Sequence, residues 1–175
     1  MDIEKKYELI PSDKEGLYRI KALKDFYDVK KGDIGGYIQS ENNLSQLDDC
    51  WIYDDAKVYD NAQVCNNARV YDNAQVCNNA RVYDNAKVYG NARVCDDAIV
   101  RDDARVFVNA QIYDNAVVVG NAKVCDNAQI YDVAIVHDDT IVCGDAEVSG
   151  NAEVSGNARI WGNAQICGDA MISSD

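Results

Sequence analysis

A six-residue pattern recurs without insertion from residue 48 to residue 172, and it constrains the fold more than any other feature. Val70-Tyr71-Asp72-Asn73-Ala74-Gln75 is one copy. A Val or Ile returns every sixth residue from Ile52 to Ile172, at 21 places, and a small residue, nearly always Ala, precedes each by two. A fixed short period of this kind is typical of a solenoid, in which each repeat stacks on its neighbours.

Each copy reads as a short strand followed by a turn. Side chains alternate across a strand, so the small residue and the Val or Ile face one side together, which predicts a core. The two remaining places carry Asp, Asn or Gly almost throughout, which favours turns. We expect one left-handed residue per copy, at the second turn place. Val133 occupies that place, so it is predicted to be strained, and Val133→Asn is predicted to stabilise the fold.

Three successive copies, each turning the chain by about a third of a circle, close one triangular coil. The 21 copies then give seven coils. With about 4.8 Å between stacked strands, the prism is about 34 Å long.

The pattern [LIV]-x-x-[ND]-A-x resembles the hexapeptide repeat of left-handed parallel β-helices. The preceding segments Y-E-L-I and G-L-Y-R-I-K-A-L-K-D-F resemble the leader of hexapeptide-repeat proteins common in phages and prophages, and the YdcK-like proteins often named transferases are similar. The resemblance implies the left hand. The predicted fold is an all-β, left-handed parallel β-helix over residues 48–175, with a small β cap over residues 1–47. Within the cap we predict strands at 7–10 and 17–23 and a loop at 32–38.

The charge is concentrated in the repeat. The whole chain carries −13, and residues 48–175, with 9 basic and 21 acidic residues, account for −12 of it. This argues against direct nucleic-acid binding and suits a basic protein partner. No apolar run is long enough for a membrane helix, and residues 1–6 do not form a signal peptide, so we predict a cytoplasmic protein that does not contact membranes.

Six of the seven cysteines lie at the outward place after the Val or Ile. Cys77 and Cys95, and likewise Cys125 and Cys143, are three copies apart, which predicts neighbouring positions on adjacent coils, within disulfide reach. A cytoplasmic setting favours reduced thiols that stand in for Tyr or Ser. With no CxxC pair and one His, the sequence predicts no metal site and no cofactor.

Grouping the outward residues of every third copy gives three faces. The first face carries basic and aromatic columns, which suit either an anionic planar ligand or a self-satisfied surface ladder. These columns include Arg69, Tyr71, Lys87, Tyr89, Arg105, Phe107 and Lys123. The second face is polar. The third face holds an apolar patch of Ile99, Val117, Val119 and Ile135, which predicts self-association into a dimer or trimer, unless it is a tolerated surface patch.

Acidic residues are predicted to stack at the corners of the prism. The first corner holds Asp84, Asp102, Asp103, Asp138 and Asp139, and the second holds Asp96, Asp97, Asp114 and Asp132. Such columns either imitate the phosphates of a nucleic acid and occupy a basic channel on another protein, or they are plain turn chemistry with solvated charge.

Three functions fit these features. The first is a non-enzymatic interaction protein, for instance a phage or prophage inhibitor of a host nucleic-acid-handling machine, of the anti-CRISPR type. The second is a coenzyme A-dependent acyltransferase trimer. Acyltransferases on this fold resemble one another in using a His as general base, and His137 is the one His here. The third is an inert structural module.

Overall fold

The computed structural model describes residues 4–175, and it is an all-β parallel β-helix of about seven coils. This confirms the predicted architecture, and it is consistent with the left hand that the resemblance implies. Residues 1–3, part of the stretch judged not to be a signal peptide, lie outside the described residues. No helix in the described chain is long and apolar enough to cross a membrane.

Twenty-four strands and one short 3-10 helix, Glu41–Asn43, make up the described regular structure. Three strands belong to the cap: β1 Tyr7–Pro11, β2 Tyr18–Ala22 and β3 Ile34–Ile38. One strand per repeat copy follows: β4 Trp51–Ile52, β5 Lys57–Val58, β6 Gln63–Val64, β7 Arg69–Val70, β8 Gln75–Val76, β9 Arg81–Val82, β10 Lys87–Val88, β11 Arg93–Val94, β12 Ile99–Val100, β13 Arg105–Val106, β14 Gln111–Ile112, β15 Val117–Val118, β16 Lys123–Val124, β17 Gln129–Ile130, β18 Ile135–Val136, β19 Ile141–Val142, β20 Glu147–Val148, β21 Glu153–Gly156, β22 Arg159–Ile160, β23 Gln165–Ile166 and β24 Met171–Ser174.

The repeat strands form three parallel sheets, one for each face. Each repeat strand pairs in register with the strand three copies later, as Lys87 does with Arg105. The first face is the seven-stranded sheet from β4 to β22, and the third face is the seven-stranded sheet from β6 to β24. The second face runs from β5 to β23 and is extended by the three cap strands to ten.

The core consists of the inward Val, Ile and Ala side chains. From Ile52 to Val154 every Val or Ile at the repeated place is at most 1% exposed, and the Ala residues between them are fully buried. Each buried aliphatic side chain contributes about 1.5–3 kcal/mol, so neighbouring coils hold one another along the whole stack. Thr140 replaces one Ala, and its buried hydroxyl donates to the carbonyl of Val154 at 3.4 Å.

The left-handed residue lies at the first turn place, and the prediction that it lies at the second is wrong. All 21 copies have positive φ at the first place, from Asp48 (φ 56°) to Gly168 (φ 68°), and Val133 is not among the residues with positive φ. Val108, with φ 64°, is the β-branched residue in this conformation. The strain predicted for Val133 therefore belongs to Val108, because a branched Cβ crowds the left-handed backbone.

The cap joins the β-helix directly. β1 and β2, which pair antiparallel, confirm the two strands predicted in the cap. The loop predicted at 32–38 is wrong, because Ile34–Ile38 forms β3, which pairs in parallel with Lys57–Val58. A Cβ on Gly36 would lie 2.6 Å from the carbonyl oxygen of Ala56, so only glycine admits this approach. Leu44 also bridges to Val64, which adds part of a coil ahead of the first repeat copy.

A buried lysine fastens the cap to the start of the β-helix. Lys6, 1% exposed, donates from Nζ to the carbonyl oxygens of Leu47, Asp48 and Cys50 at 2.9–3.2 Å and to Cys50 Sγ at 3.3 Å. Burial lowers the pKa of Lys6, while Cys50 and nearby Asp carboxylates act in the opposite direction. The ammonium thus satisfies carbonyls that have no strand partner at the end of the prism.

Candidate functional site

The corner carboxylates form hydrogen bonds between coils. At the first turn place, most Asp residues accept through Oδ2 from the backbone N–H of the equivalent residue one coil later. Asp102 accepts from Gly120 at 3.1 Å, and Asp138 accepts from Gly156 at 3.0 Å. The same contact joins Asp132 to Gly150 at 2.9 Å. These acidic residues therefore have a structural role that the sequence reasoning did not anticipate.

The second turn place carries ladders of amide side chains. Asn79 donates to Asp97 at 3.0 Å, and Asn121 donates to Asp139 at 3.0 Å, each across one coil. Val133 interrupts one of these ladders between Asn115 and Asn151. Because the ladder fixes the corner side chains, the carboxylates stand in a defined row along the prism.

The two acidic corners differ in their nearby cations. In the first corner Arg101 lies 3.5 Å from Asp102, and His137 lies 3.2 Å from Asp138. In the second corner, Asp96, Asp97, Asp114 and Asp132 make no ion pair within the described chain. Asp114 and Asp132 each use Oδ2 for the next coil, and their Oδ1 atoms point to no donor among the described residues. The second corner thus carries more negative charge that no neighbouring cation compensates.

On the first face the predicted columns are in register, but Arg69 is covered. Lys87 pairs in register with Arg69 and Arg105, and Arg105 with Lys123. The Arg69 guanidinium lies 3.5 Å from the centre of the Tyr27 ring and 3.8 Å from a carboxylate oxygen of Asp28. At 8% exposure, it is a contact between cap and β-helix.

Beside this covered arginine, a groove of about 270 Å³ runs along the first corner. Its lining is Tyr27, Asp49, Asn67, Arg69, Asn85, Lys87, Asp103 and Arg105. Its three cations face the carboxylates of Asp49 and Asp103, and Asp28 also lies against Arg69. Three positive and three negative groups balance, so the groove offers little net attraction to an anion.

The aromatic column of the first face stacks on itself. The rings of Tyr53 and Tyr71 are 4.7 Å apart and nearly parallel, Tyr71 meets Tyr89 edge-on at 6.3 Å, and Tyr89 stacks on Phe107 at 5.0 Å. Tyr53 also donates its hydroxyl to Asp28 at 2.7 Å. Burial raises the pKa of the Tyr71 and Tyr89 phenols. Ring contacts within the column are therefore satisfied without a ligand.

His137 is held between two carboxylates. Its Nε2 atom lies 2.9 Å from Glu153 Oε1, and its Nδ1 atom lies 3.2 Å from Asp138 Oδ2. Burial lowers the pKa of His137, but the hydrogen bonds to Glu153 and Asp138 outweigh burial, and the net pKa is raised. A general base needs a free nitrogen within reach of the proton it abstracts, and here both ring nitrogens are occupied.

The apolar patch of the third face is continuous. Ile99, Val117 and Ile135 are register partners on three successive strands, and Ile135 is 38% exposed. Val119 lies two residues after Val117 on the same outward side. Arg81 precedes the column and Glu153 follows it. The patch is thus about three coils long with a charged residue at either end.

One predicted cysteine pair is oxidised. Cys125 and Cys143 form a disulfide with Cα atoms 4.7 Å apart, so the expectation of reduced thiols is wrong for this pair, because in-register coils bring the two side chains together. Cys77 and Cys95 hold the same relative position but are free thiols. Asp126 lies within 4.8 Å of the bonded sulfurs, whose bond to each other removes them as thiolate ligands.

Comparison with known proteins identifies the type of repeat but does not show an activity. A family model described as YdcK Beta solenoid repeat matches residues 62–78, 74–90, 86–102 and 110–126, about a third of the chain. The Escherichia coli (strain K12) protein "Uncharacterized acetyltransferase YdcK" is 43% identical over 54 residues, 30% of this chain and 17% of that protein. This chain thus matches only about a sixth of the length of its relative. The chain is a repeat β-helix protein that resembles YdcK-like members.

Proposed function

We propose that this chain is a non-enzymatic interaction protein whose second corner binds a basic surface on another protein. The observation that carries the proposal is the row of four Asp carboxylates, Asp96, Asp97, Asp114 and Asp132, without an ion pair in the described chain. A net charge of −12 on the repeat adds to the attraction at longer range.

The rigidity of the corner favours this role. Acidic side chains there are tied to a neighbouring coil, as Asp114 Oδ2 is to the N–H of Asp132 at 3.2 Å. A partner therefore meets carboxylates that are already ordered, and little side-chain entropy is lost on binding. Complementary charge raises the association rate and selects against acidic partners.

The partner that fits is a basic protein, and a nucleic-acid-handling protein has such a surface. An inhibitor of the anti-CRISPR type is the concrete version, and it draws on the resemblance of residues 7–46 to phage and prophage leaders.

We also propose that the chain acts as a dimer or trimer through the apolar patch of the third face, inside the cytoplasm. If no partner binds, the third function, an inert structural module, is the one that fits.

An acyltransferase is the second candidate, because the relative that matches over 54 residues is named an acetyltransferase. That match covers 17% of the relative, and a shared fold does not carry an activity. His137 is the residue this reading needs, and its two nitrogens contact Glu153 and Asp138. Catalysis would require one of these contacts to open so that His137 could accept a proton.

The test compares two variants with equal charge change. The corner variant converts Asp96, Asp97, Asp114 and Asp132 to Asn, and the control converts Asp54, Asp72, Asp126 and Asp145, on the third corner, to Asn. Asn keeps an oxygen that accepts the cross-coil hydrogen bonds, so both should fold as wild type. Each immobilised protein is exposed to a lysate of the encoding organism at low and high salt, and bound proteins are identified by mass spectrometry.

We expect a basic protein that wild type and the control capture and the corner variant does not. Its binding should weaken between 0.05 and 0.5 M salt, since screening shortens the Debye length from about 10 Å at 0.1 M to about 3 Å at 1 M. The proposal would be overturned if both variants lost the partner equally, or if wild type captured no basic protein at all. Acyl transfer from acetyl-coenzyme A that His137→Gln abolishes would establish the enzymatic reading instead.

A further inference from the structure

The second face carries two free thiols in the arrangement that is already bonded on the first face. β8 and β11 pair in register, Val76 with Val94, and Cys77 and Cys95 follow these residues directly. On the first face, Val124 pairs with Val142, and Cys125 and Cys143 follow them in the same way. The N–H of Cys77 donates to the carbonyl of Val94 at 3.0 Å, and that of Cys125 to Val142 at 2.9 Å.

Equivalent backbone positions imply a similar separation of the Cα atoms in the two cysteine pairs. The coil spacing that brings the Cα atoms of Cys125 and Cys143 to 4.7 Å is repeated for Cys77 and Cys95. This value lies within the range that a disulfide requires, so no backbone movement is needed to join the second pair.

We propose that Cys77 and Cys95 are a peroxide-oxidisable dithiol, a modification site at which the chain forms a second disulfide between adjacent coils. The Cys77 thiolate attacks one oxygen of hydrogen peroxide, the O–O bond breaks, and the products are a sulfenic acid on Cys77 and hydroxide, which takes up a proton to become water. Cys95 then loses its thiol proton, its sulfur attacks the Cys77 sulfur, the S–O bond breaks, and the hydroxide that leaves takes up a proton to become a second water. Two thiols lose two electrons in total, and one peroxide gains them.

The surroundings of the two thiols determine which one attacks the peroxide and which one then closes the disulfide. The hydrogen bond from Cys95 lowers the pKa of Cys77 to about 6, against the effect of burial, and Tyr59 and Arg93 act in the same direction. The same hydrogen bond raises the pKa of Cys95. Cys77 is 5% exposed, so the site admits a small oxidant such as peroxide more readily than a bulky disulfide. Cys77 is therefore the attacking thiolate and Cys95 the resolving thiol.

The chain supplies its own controls. Cys167 is exposed and Cys65 is partly exposed, but the equivalent residues on the coils adjacent to them are not cysteines. If exposure alone governed oxidation, Cys167 would react first. Ser149 fills the place of Cys77 and Cys95 on a later coil of the second face, which shows that serine is accommodated there and that Cys77→Ser and Cys95→Ser are mild changes.

The experiment starts from the full-length chain reduced with dithiothreitol and freed of reductant, with circular dichroism to confirm the fold. Hydrogen peroxide is added in steps, remaining thiols are alkylated with N-ethylmaleimide, and tryptic peptides are analysed by mass spectrometry. Cleavage after Arg69, Arg81, Arg93 and Arg101 places Cys77 in peptide 70–81 and Cys95 in peptide 94–101. A bond between them joins two peptides, and a bond between Cys125 and Cys143 lies within peptide 124–159.

We expect the joined peptides 70–81 and 94–101 to appear at low peroxide, about threefold faster than oxidation of Cys167, and to separate on reduction. The rate difference follows from the larger thiolate fraction of Cys77, offset in part by its weaker nucleophilicity. In Cys95→Ser, Cys77 should accumulate as a sulfenic acid that dimedone labels. The inference is overturned if Cys77 stays alkylatable while Cys167 oxidises, or if Cys77 oxidises without bonding to Cys95.

Discussion

Replacing Val108 by Asn should stabilise the protein, because Val108 is a β-branched residue in the left-handed region. Its φ is 64°, and the other copies of the repeat place Asp, Asn or Gly there. The left-handed conformation costs an ordinary residue about 1–2 kcal/mol, and Asn tolerates it better than Val. The substitution thus removes a strain that recurs nowhere else along the prism.

The expected gain is about 0.5–1 kcal/mol. Val108 is 41% exposed, so its buried part is worth about 0.9 kcal/mol at the lower value for a buried Val, and Asn restores some of that packing. Subtracting this loss from about 1–2 kcal/mol of relieved strain leaves about 0.1–1.1 kcal/mol, and the packing that Asn restores raises the lower end to the stated gain. Gly would relieve the same strain but would also loosen the unfolded chain, so Asn is the better substitution.

Urea unfolding, followed by circular dichroism, measures the change, with Val133→Asn as the control. Val133 is 46% exposed, lies outside the left-handed region and only interrupts an amide ladder, so its replacement should shift stability by at most about 0.5 kcal/mol. The midpoint should rise in Val108→Asn with an unchanged slope. A larger gain in Val133→Asn than in Val108→Asn would refute the reasoning from backbone conformation.

Two further perturbations test side chains of the third face. His137→Gln should lower the free energy of unfolding most at pH 5–6. Because the folded pKa of His137 is raised, its contribution to stability is fully present below about 6.5, the unfolded pKa, and is lost as pH rises through the folded pKa. Urea unfolding of wild type and the variant across pH measures this difference. A loss of stability that grew as pH rose would contradict the contact of His137 with Glu153 and Asp138. Val117→Lys should convert a wild-type oligomer into monomers with an unchanged circular dichroism spectrum, and light scattering that finds wild type monomeric would end the self-association hypothesis.

The repeat made the fold predictable from the sequence. A period of six with Ala and Val two apart determines which side chains face the core, and the closing of a coil after three copies determines which outward residues become register partners. Lys87 pairs with Arg69 and Arg105, and Ile99 with Val117, as grouping every third copy predicts. The period does not indicate which of two turn residues is left-handed, because Asp and Asn are common at both places. Gly, which occurs at the first place only, from Gly90 to Gly168, was the available signal.

The part of the first face next to the cap was less predictable, since it depends on contacts between the repeat and the cap. No period relates Tyr27 or Asp28 to Arg69, yet these two residues cover that arginine and remove it from the basic column. Lys6 is likewise a charged residue near the start of the chain, and nothing in its neighbours indicates that it is buried against the carbonyls of residues 47–50. Contacts of this kind follow from where a non-repeating segment folds back, and periodicity carries no information about that.

In a repeat with acidic turns, charge alone does not separate binding residues from structural ones. Asp102 and Asp132 have the same residue type and the same place in the repeat, and each accepts a hydrogen bond from the next coil. They differ in that Arg101 lies beside Asp102, whereas no cation lies within 4 Å of Asp132 among the described residues. The charge of Asp132 is therefore the one that no neighbouring cation neutralises within the described chain. The second corner is the better place to look for an interface because of this local difference, although both corners are acidic.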